Sequence, residues 1–162
     1  MKTPRFCPSC ARPLEMKAHG GRDRLSCPDP ECSYVFWDNP LPVVAALVEL
    51  DGQVILIQNK GWPESWFGLV TGFLERGETP EAAVLRELKE ELSLDGEVVR
   101  LIGVYDFPQR NEVIAAYHVR ARGTIALGDE LAAFKPVPPE KLRPWPFGTG
   151  HAVRDWLAAR NA

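Results

Sequence analysis

The sequence predicts a mixed α/β domain preceded by a small, separate cysteine-rich module. All four cysteines lie within the first 32 residues, a segment with few aliphatic side chains. From residue 39 onward, several short apolar runs alternate with turn residues, and two segments repeat apolar residues at helical spacing. Several strands with two helices are typical of a mixed α/β or α+β architecture. We therefore expect one module over residues 1–38 and a larger domain over residues 39–162.

The composition favours a soluble globular chain over a membrane or nucleic-acid-binding protein. The 162 residues include 19 Lys and Arg against 22 Asp and Glu, a formal net charge of -3. No apolar run reaches the roughly 18 residues of a bilayer span, and the first residues lack the apolar segment of a secretion signal. We expect a cytoplasmic protein without a membrane partner. Since no strong basic excess is present, a nucleic-acid partner is not expected and a small ligand is.

The four cysteines form two close pairs with the spacing of a metal site. Cys7 and Cys10 are separated by two residues, and Cys27 and Cys32 by four. Two such pairs can close a tetrahedral site, the geometry of structural zinc. The alternative is two disulfides or inert buried thiols, although disulfides are rare in the cytosol. Zinc binding would also supply the folding free energy that this core-poor segment lacks.

The larger domain can be divided into elements from its turn residues. Two apolar runs, 43–50 and 54–57, flank Asp51-Gly52 and predict a β-hairpin. A strand is expected at 66–71, ending at Gly72. Thr79 followed by Pro80 predicts the start of a helix, because threonine caps a helix and proline suits its first position. The remaining expected elements are three strands and a closing helix, at 98–105, 113–120, 131–137 and 150–159.

The helix that follows Thr79 carries an unusual charge pattern. At 100° per residue, its leucines fall on one side and three glutamates on the other; these residues are Leu85, Leu88, Leu92, Glu87, Glu90 and Glu91. Most such patterns are solvated helix faces. Here, however, like charges one turn apart and acids near the negative end of the helix dipole are both unfavourable. Three outward carboxylates therefore predict a Mg²⁺ site that offsets these penalties.

The stretch from Gly72 to Leu94 resembles a known motif. It is similar to the Nudix box, G-x5-E-x7-R-E-U-x-E-E-x-G-U, in which U is a bulky aliphatic residue. The matching residues are Gly72, Glu78, Arg86, Glu87, Leu88, Glu90, Glu91 and Leu94. Ser93 stands where the box has glycine. Since that glycine normally supplies a left-handed cap, the difference concerns the helix exit and no ligand.

The resemblance to Nudix hydrolases implies a fold, an activity and a set of site residues. The fold would be an α/β/α sandwich with a mixed sheet. The activity would be metal-dependent hydrolysis of the pyrophosphate bond in a nucleoside diphosphate linked to another group. The metal, Mg²⁺ or Mn²⁺, would be bound by the carbonyl of Gly72 and by the three box glutamates, which are Glu87, Glu90 and Glu91. Glu78 and Arg86 would orient the loop and helix through a salt bridge.

The resemblance does not determine the general base or the oligomeric state. The general base is not identified by the resemblance, and Glu112 is a weak candidate for which a solvated role is favoured. Nudix enzymes are commonly dimers, so the resemblance also allows a homodimer.

The N-terminal module extends the resemblance. A four-cysteine zinc ribbon followed by aromatic residues and Asn39-Pro40 looks like the arrangement in NADH pyrophosphatases and in related Nudix hydrolases acting on FAD or ADP-ribose. The array S-Q-P-W-P-F-P-x-S, which follows the box in the NADH enzymes, is matched only partly, at 107–109 and 144–147. We therefore expect ADP-ribose, FAD or a similar dinucleotide as substrate. The alternatives are an NADH pyrophosphatase, a nucleotide-pool or RNA-cap hydrolase, and a non-catalytic zinc-ribbon protein that binds nucleic acid or another partner.

Overall fold

The computed structural model describes residues 3–160, which divide into two compact units. The first unit ends at Asn39 and the second begins at Pro40. The smaller unit contains an antiparallel hairpin of β1 (Glu15–His19) and β2 (Arg22–Ser26). The hairpin turn is Gly20-Gly21, whose φ angles are 59° and 79°. Two positive φ angles in succession are what a tight two-residue hairpin turn requires, and glycine adopts them readily.

The larger unit is a mixed sheet with one helix on each side. Its strands are β3 (Leu41–Leu50), β4 (Gln53–Asn59), β5 (Val70–Phe73), β6 (Asp95–Phe107), β7 (Glu112–Arg122) and β8 (Leu131–Val137), and its helices are α1 (Pro80–Leu92) and α2 (Gly150–Arg160). The strand order is β6-β7-β3-β4-β8, and β5 pairs with β3. The β3–β7 pair is parallel, and the other pairs are antiparallel. No helix of the described residues is long and apolar enough to cross a membrane.

Strand β3 explains the layered core. Its successive side chains point to opposite faces of the sheet, as in any strand. Val44, Ala46 and Val48 join the apolar cluster beneath α1, whereas Ala45 and Leu47 join the cluster beneath α2. The strand is therefore buried on both sides, which is why it reads as a nearly continuous apolar run. The predicted α/β/α sandwich with a mixed sheet is confirmed.

Most of the predicted elements are present, and their local signals explain them. Asp51 and Gly52 have φ angles of 50° and 75° and form the tight turn between β3 and β4. The hydroxyl of Thr79 accepts a hydrogen bond of 3.2 Å from the N–H of Ala82, so this residue caps α1 as expected. The strand expected at 66–71 was wrong in its first part, because β5 begins only at Val70. Residues 63–66 form a turn, in which the N–H of Trp66 bonds to the carbonyl of Pro63, and Gly68 pairs with Ile57 only as an isolated bridge.

Candidate active site

A cleft of about 480 Å³ lies in the larger unit between β5, α1 and the loop before β8. It is lined by Thr71, Gly72, Phe73, Glu75, Arg86, Glu87, Glu90, Glu91, Gly128, Asp129, Glu130 and Leu131. Six of these residues are acids and one, Arg86, is a base. The cleft therefore attracts cations, and an anionic ligand would need a cation between itself and the walls.

Helix α1 brings the three predicted glutamates to this cleft, but with different degrees of burial. Glu90 is largely exposed and Glu87 is partly buried. Glu91 is buried, with 8% of its surface exposed. It lies seven residues, or two turns, after Val84 and therefore on the side of α1 that packs against the sheet. The expectation that all three carboxylates face outward, opposite the apolar side, was wrong for Glu91.

The Glu91 carboxylate is both crowded and unsatisfied. Its Oε2 atom is buried and has no hydrogen-bond partner among the described residues. Burial raises the pKa of Glu91 to about 8, and the charges of Glu87, Glu130 and Glu90 act in the same direction. An unpaired buried polar group is unfavourable unless something supplies the missing interaction. A cation in the cleft would do so, and oxygen donors of this kind suit Mg²⁺ or Mn²⁺.

Arg86 connects the loop before α1 to the glutamates. Its Nη2 and Nε atoms donate to the two oxygens of Glu78 over 2.8 and 3.2 Å, which holds the pKa of Glu78 below its usual range. Its Nη1 atom donates to Glu87 over 2.7 Å and to Glu90 over 3.1 Å. Its Nη2 atom also bonds to the carbonyl of Phe73 at the end of β5. Glu78 itself does not line the cleft, so its contact with the site runs through Arg86.

Gly72 makes room for one of these carboxylates. A Cβ atom at this position would lie 1.8 Å from the Cδ of Glu87. Any side chain there would displace Glu87 from the end of β5. The glycine is thus required for space, and it lines the same cleft as Glu87.

The opposite wall comes from a loop that sequence reasoning missed. The N–H of Gly128 donates to the carbonyl of Glu91, which places Asp129 and Glu130 at the cleft. Lys60 holds the same loop, because its N–H bonds to the carbonyl of Glu130 over 2.9 Å and its ammonium to that of Asp129. The neighbouring acids Asp129 and Glu130 were the only sequence feature that could have indicated this wall, but no motif connects them to α1.

Two other sequence candidates lie away from the cleft. Glu112 begins β7, pairs with Phe107 of β6 and is not among the lining residues. The two partial matches to the NADH array do meet in space, since the rings of Phe107 and Phe147 are 6.2 Å apart and nearly parallel. Phe107 packs against the α2-side cluster, however, and neither ring lines the cleft.

The smaller unit brings its four cysteines together. The Sγ atoms of Cys7, Cys10, Cys27 and Cys32 all lie within 4.8 Å of one another. Two of the separations, 3.5 and 3.7 Å, are far longer than a disulfide bond and close to the roughly 3.8 Å between sulfurs around tetrahedral zinc. Burial opposes ionisation of Cys7, yet hydrogen bonds from Ser9 and Cys10 lower its pKa to about 7. The cluster therefore fits a zinc ion.

Comparison with known proteins places this architecture in a family. Residues 38–156 match the family model of the NUDIX domain. The chain belongs to the Nudix family. This Nudix chain is 42% identical over 79 residues to the ADP-ribose pyrophosphatase of Methanocaldococcus jannaschii, a match that covers 48% of the chain and 47% of that protein. It is 37% identical over 90 residues to the NAD-capped RNA hydrolase NudC of Mycobacterium tuberculosis, covering 54% of the chain and 26% of NudC.

The matches to these curated relatives therefore span half of their length or less. Solved Nudix structures extend the likeness of fold. A NUDIX hydrolase from Nitrosomonas europaea superposes with a TM-score of 0.79 at 21% identity, covering 98% of this chain and 93% of that one. An ADP-ribose pyrophosphatase from Streptococcus suis gives a TM-score of 0.63 at 19% identity, covering 76% and 94%. At these identities the likeness concerns the fold alone.

Proposed function

We propose that this Nudix protein hydrolyses the pyrophosphate bond of a nucleoside diphosphate linked to another group. In this proposal the three box glutamates and the carbonyl of Gly72 bind Mg²⁺ or Mn²⁺. The observation that best supports it is the Glu91 carboxylate, buried in an acidic cleft with one oxygen unpartnered. The bound metal would neutralise phosphate oxygens and make a water molecule more acidic.

The residues of the chain have separate roles in this proposal. Arg86 holds Glu87 and Glu90 in place and at the same time forms an ion pair with Glu78. Gly72 leaves the space that Glu87 occupies. Glu130 belongs to the opposite wall, where its carboxylate can accept a proton from the attacking water.

The cysteine cluster has a different proposed role. Zinc held by Cys7, Cys10, Cys27 and Cys32 would have all four positions filled by protein. Such a site is closed to substrate, so it serves structure rather than catalysis. Residues 1–38 would then form a zinc ribbon and residues 39–162 the Nudix domain of a cytoplasmic enzyme.

The favoured substrates are ADP-ribose and FAD. Similarity to the ADP-ribose pyrophosphatase of Methanocaldococcus jannaschii supports this choice. The position of Phe107 and Phe147 away from the cleft also supports it, because the partial NADH array then has no contact with the glutamates. The alternative is NADH or an NAD-capped RNA, which the similarity to NudC favours.

The test compares kcat/KM for ADP-ribose, FAD, NADH and a nucleoside triphosphate, each with Mg²⁺ and with Mn²⁺. We expect ADP-ribose or FAD to be hydrolysed best, and Glu90→Gln or Glu91→Gln to remove most of the activity. Glu97→Gln is the matched control, because this exposed glutamate of β6 lies outside the cleft. NADH or the triphosphate being preferred by more than about tenfold, or 1.4 kcal/mol of transition-state stabilisation, would contradict the substrate choice. Wild-type turnover in both glutamine variants would contradict the metal site.

A further inference from the structure

One face of the β1–β2 hairpin in the smaller unit collects basic side chains. His19 lies directly opposite Arg22, and Lys17 lies directly opposite Arg24. Residues paired across an antiparallel ladder point to the same side, and alternate residues of a strand share a side. Lys17, His19, Arg22 and Arg24 therefore share one side of the hairpin, here called the basic face. The next pair along this side, Glu15 opposite Ser26, contributes one acid.

This arrangement is not what stability alone would favour. Like charges directly opposite each other destabilise a strand pair, as Lys17 and Arg24 do here. A two-stranded hairpin has little stability to spare. Apart from Glu15, two acids of this unit are placed elsewhere, since Asp23 points to the other side of the hairpin and Asp29 pairs with Arg12. A locally unfavourable choice of this kind is typical of a surface kept for binding.

An exposed indole adjoins the basic face. Trp37 is 50% exposed. The Arg24 guanidinium lies over its ring, 4.9 Å from the centroid, and also donates to its carbonyl. The His19 ring meets the indole edge to face, with centroids 6.5 Å apart. The Trp37 ring is therefore held in place by these contacts while half of the residue's surface stays exposed.

Of these basic residues, which all lie in the described part of the chain, only Lys17 contacts the segment that carries the cysteines. The Lys17 ammonium donates to the carbonyl of Cys27 over 3.5 Å, so its charge can balance the thiolates. Arg22 is exposed and forms no ion pair within residues 3–160. Arg22 and Trp37 thus need an explanation beyond the folding of the unit.

We propose that the basic face and Trp37 bind single-stranded nucleic acid. Arg22 contacts the phosphates, Lys17 and Arg24 add positive charge beside it, and an unpaired base stacks on Trp37. A single strand fits better than a duplex, because the bases of a duplex are already stacked and paired. The near balance of charge in the sequence argued against such a partner, but the hairpin places four basic side chains and only one acid, Glu15, on the same side. This binding does not depend on the proposed hydrolysis.

The test measures binding of a 5′-fluorescein-labelled oligouridylate of about 12 nucleotides, within the usual site sizes for single strands, by anisotropy with the full, zinc-loaded chain. We expect micromolar affinity at low salt, as is typical of non-specific binding. Arg22→Glu should weaken binding by about tenfold or more and lower its salt dependence. Trp37→Ala should weaken it by about fivefold or more, and Trp37→Phe by less.

The matched control is Lys141→Glu, which makes the same change of charge at an exposed residue of the larger unit. It should weaken binding by less than about twofold, since Lys141 is not part of the basic face. Zinc content should be one per chain in every variant, which shows that the smaller unit still folds. Hydrolysis of ADP-ribose should be the same in Arg22→Glu as in the wild type. If no substrate is hydrolysed, the proposed function fails and the binding result still stands.

Three outcomes would overturn the proposal. The first is no saturable binding by the wild type below about 100 µM, the weak end of non-specific affinities. The second is an equal loss in Arg22→Glu and Lys141→Glu, because net charge alone would then explain binding. The third is equal affinity for a duplex of the same length, because stacking on Trp37 would then have no part in it.

Discussion

The backbone N–H of Gly128 donates a hydrogen bond of 2.8 Å to the carbonyl of Glu91. This carbonyl lies in the last turn of α1, where it has no partner within the helix. The bond therefore caps α1 and also fixes the loop that carries Asp129 and Glu130. In this way the same contact completes the helix and closes the acidic cleft.

Gly128→Ala should disrupt this contact. The added Cβ atom would lie 2.5 Å from the carbonyl oxygen of Glu90, so the backbone of the loop must move away from α1. We expect a loss of about 1 to 3 kcal/mol in the free energy of unfolding, as for other overpacked positions. We also expect kcat to fall by about tenfold or more, because small displacements at a catalytic site are costly. Chemical denaturation and substrate turnover measure the two effects.

Gly68→Ala is the control for this substitution. A Cβ atom at Gly68 would meet the Trp62 ring at 3.4 Å, which is ordinary contact. Stability and turnover should therefore stay close to those of the wild type. A Gly128→Ala variant that behaves like Gly68→Ala would show that the loop tolerates displacement.

Arg86→Lys should lower activity without unfolding the protein. Lysine keeps the positive charge but cannot form the paired bonds that Arg86 makes with Glu78 while also reaching Glu87 and Glu90. We expect kcat/KM to fall by about 10- to 100-fold, the size of effect typical when residues that orient metal ligands are lost. Lys89→Gln, on the same helix but outside the cleft, should retain activity. Equal turnover in both variants would show that charge at Arg86 is sufficient.

How far the sequence predicts the fold and the site depends on how local the determining interactions are. The turn at Asp51-Gly52 and the helix start at Thr79 were predicted because each depends on neighbouring residues. The three glutamates of α1 were found because they follow one another on a single helix. The burial of Glu91 was missed, since it depends on how α1 meets the sheet. Glu130 was missed because Lys60, far away in sequence, helps to position it.

Ser93→Gly should stabilise the larger unit. Ser93 ends α1 with φ of 59°, a left-handed conformation, and its N–H bonds to the carbonyl of Lys89. Helix α1 thus ends in the left-handed conformation that glycine normally supplies at this position, although serine adopts it less readily. We expect a gain of about 0.5 to 1 kcal/mol in the free energy of unfolding, measured by chemical denaturation. Ser93→Ala should give no gain, and an equal gain in both variants would contradict the explanation.

His118 should make stability depend on pH. Burial lowers its pKa, and Arg100 and Arg120 act in the same direction, although the bond to Glu49 opposes them. As the pH falls below about 6.5, the unfolded chain gains a proton that the folded chain resists. The free energy of unfolding should therefore decrease with acidification.

His118→Gln tests this dependence, because glutamine can still donate to Glu49 but does not titrate in this range. We expect the loss of stability between about pH 7.5 and 5 to be smaller in the variant, by at most about 1.4 kcal/mol per pH unit. The measurement is urea denaturation at a series of pH values. Identical slopes in the two proteins would mean that His118 is protonated as easily when folded as when unfolded.

Glu91→Gln should separate the cost of the buried carboxylate from its use in metal binding. Without divalent metal, the variant should be at least as stable as the wild type, because it removes a buried carboxyl group whose ionisation is opposed by its surroundings and whose oxygen lacks a partner. With Mg²⁺ at about 100 times its dissociation constant, the wild type should gain about 2.7 kcal/mol, and the variant much less. Thermal denaturation in EDTA and in Mg²⁺ measures both effects, and Glu97→Gln should follow the wild type. A Glu91→Gln variant that is less stable than the wild type in EDTA, yet is stabilised by Mg²⁺ as much as the wild type, would show that this carboxylate serves the fold and not the metal.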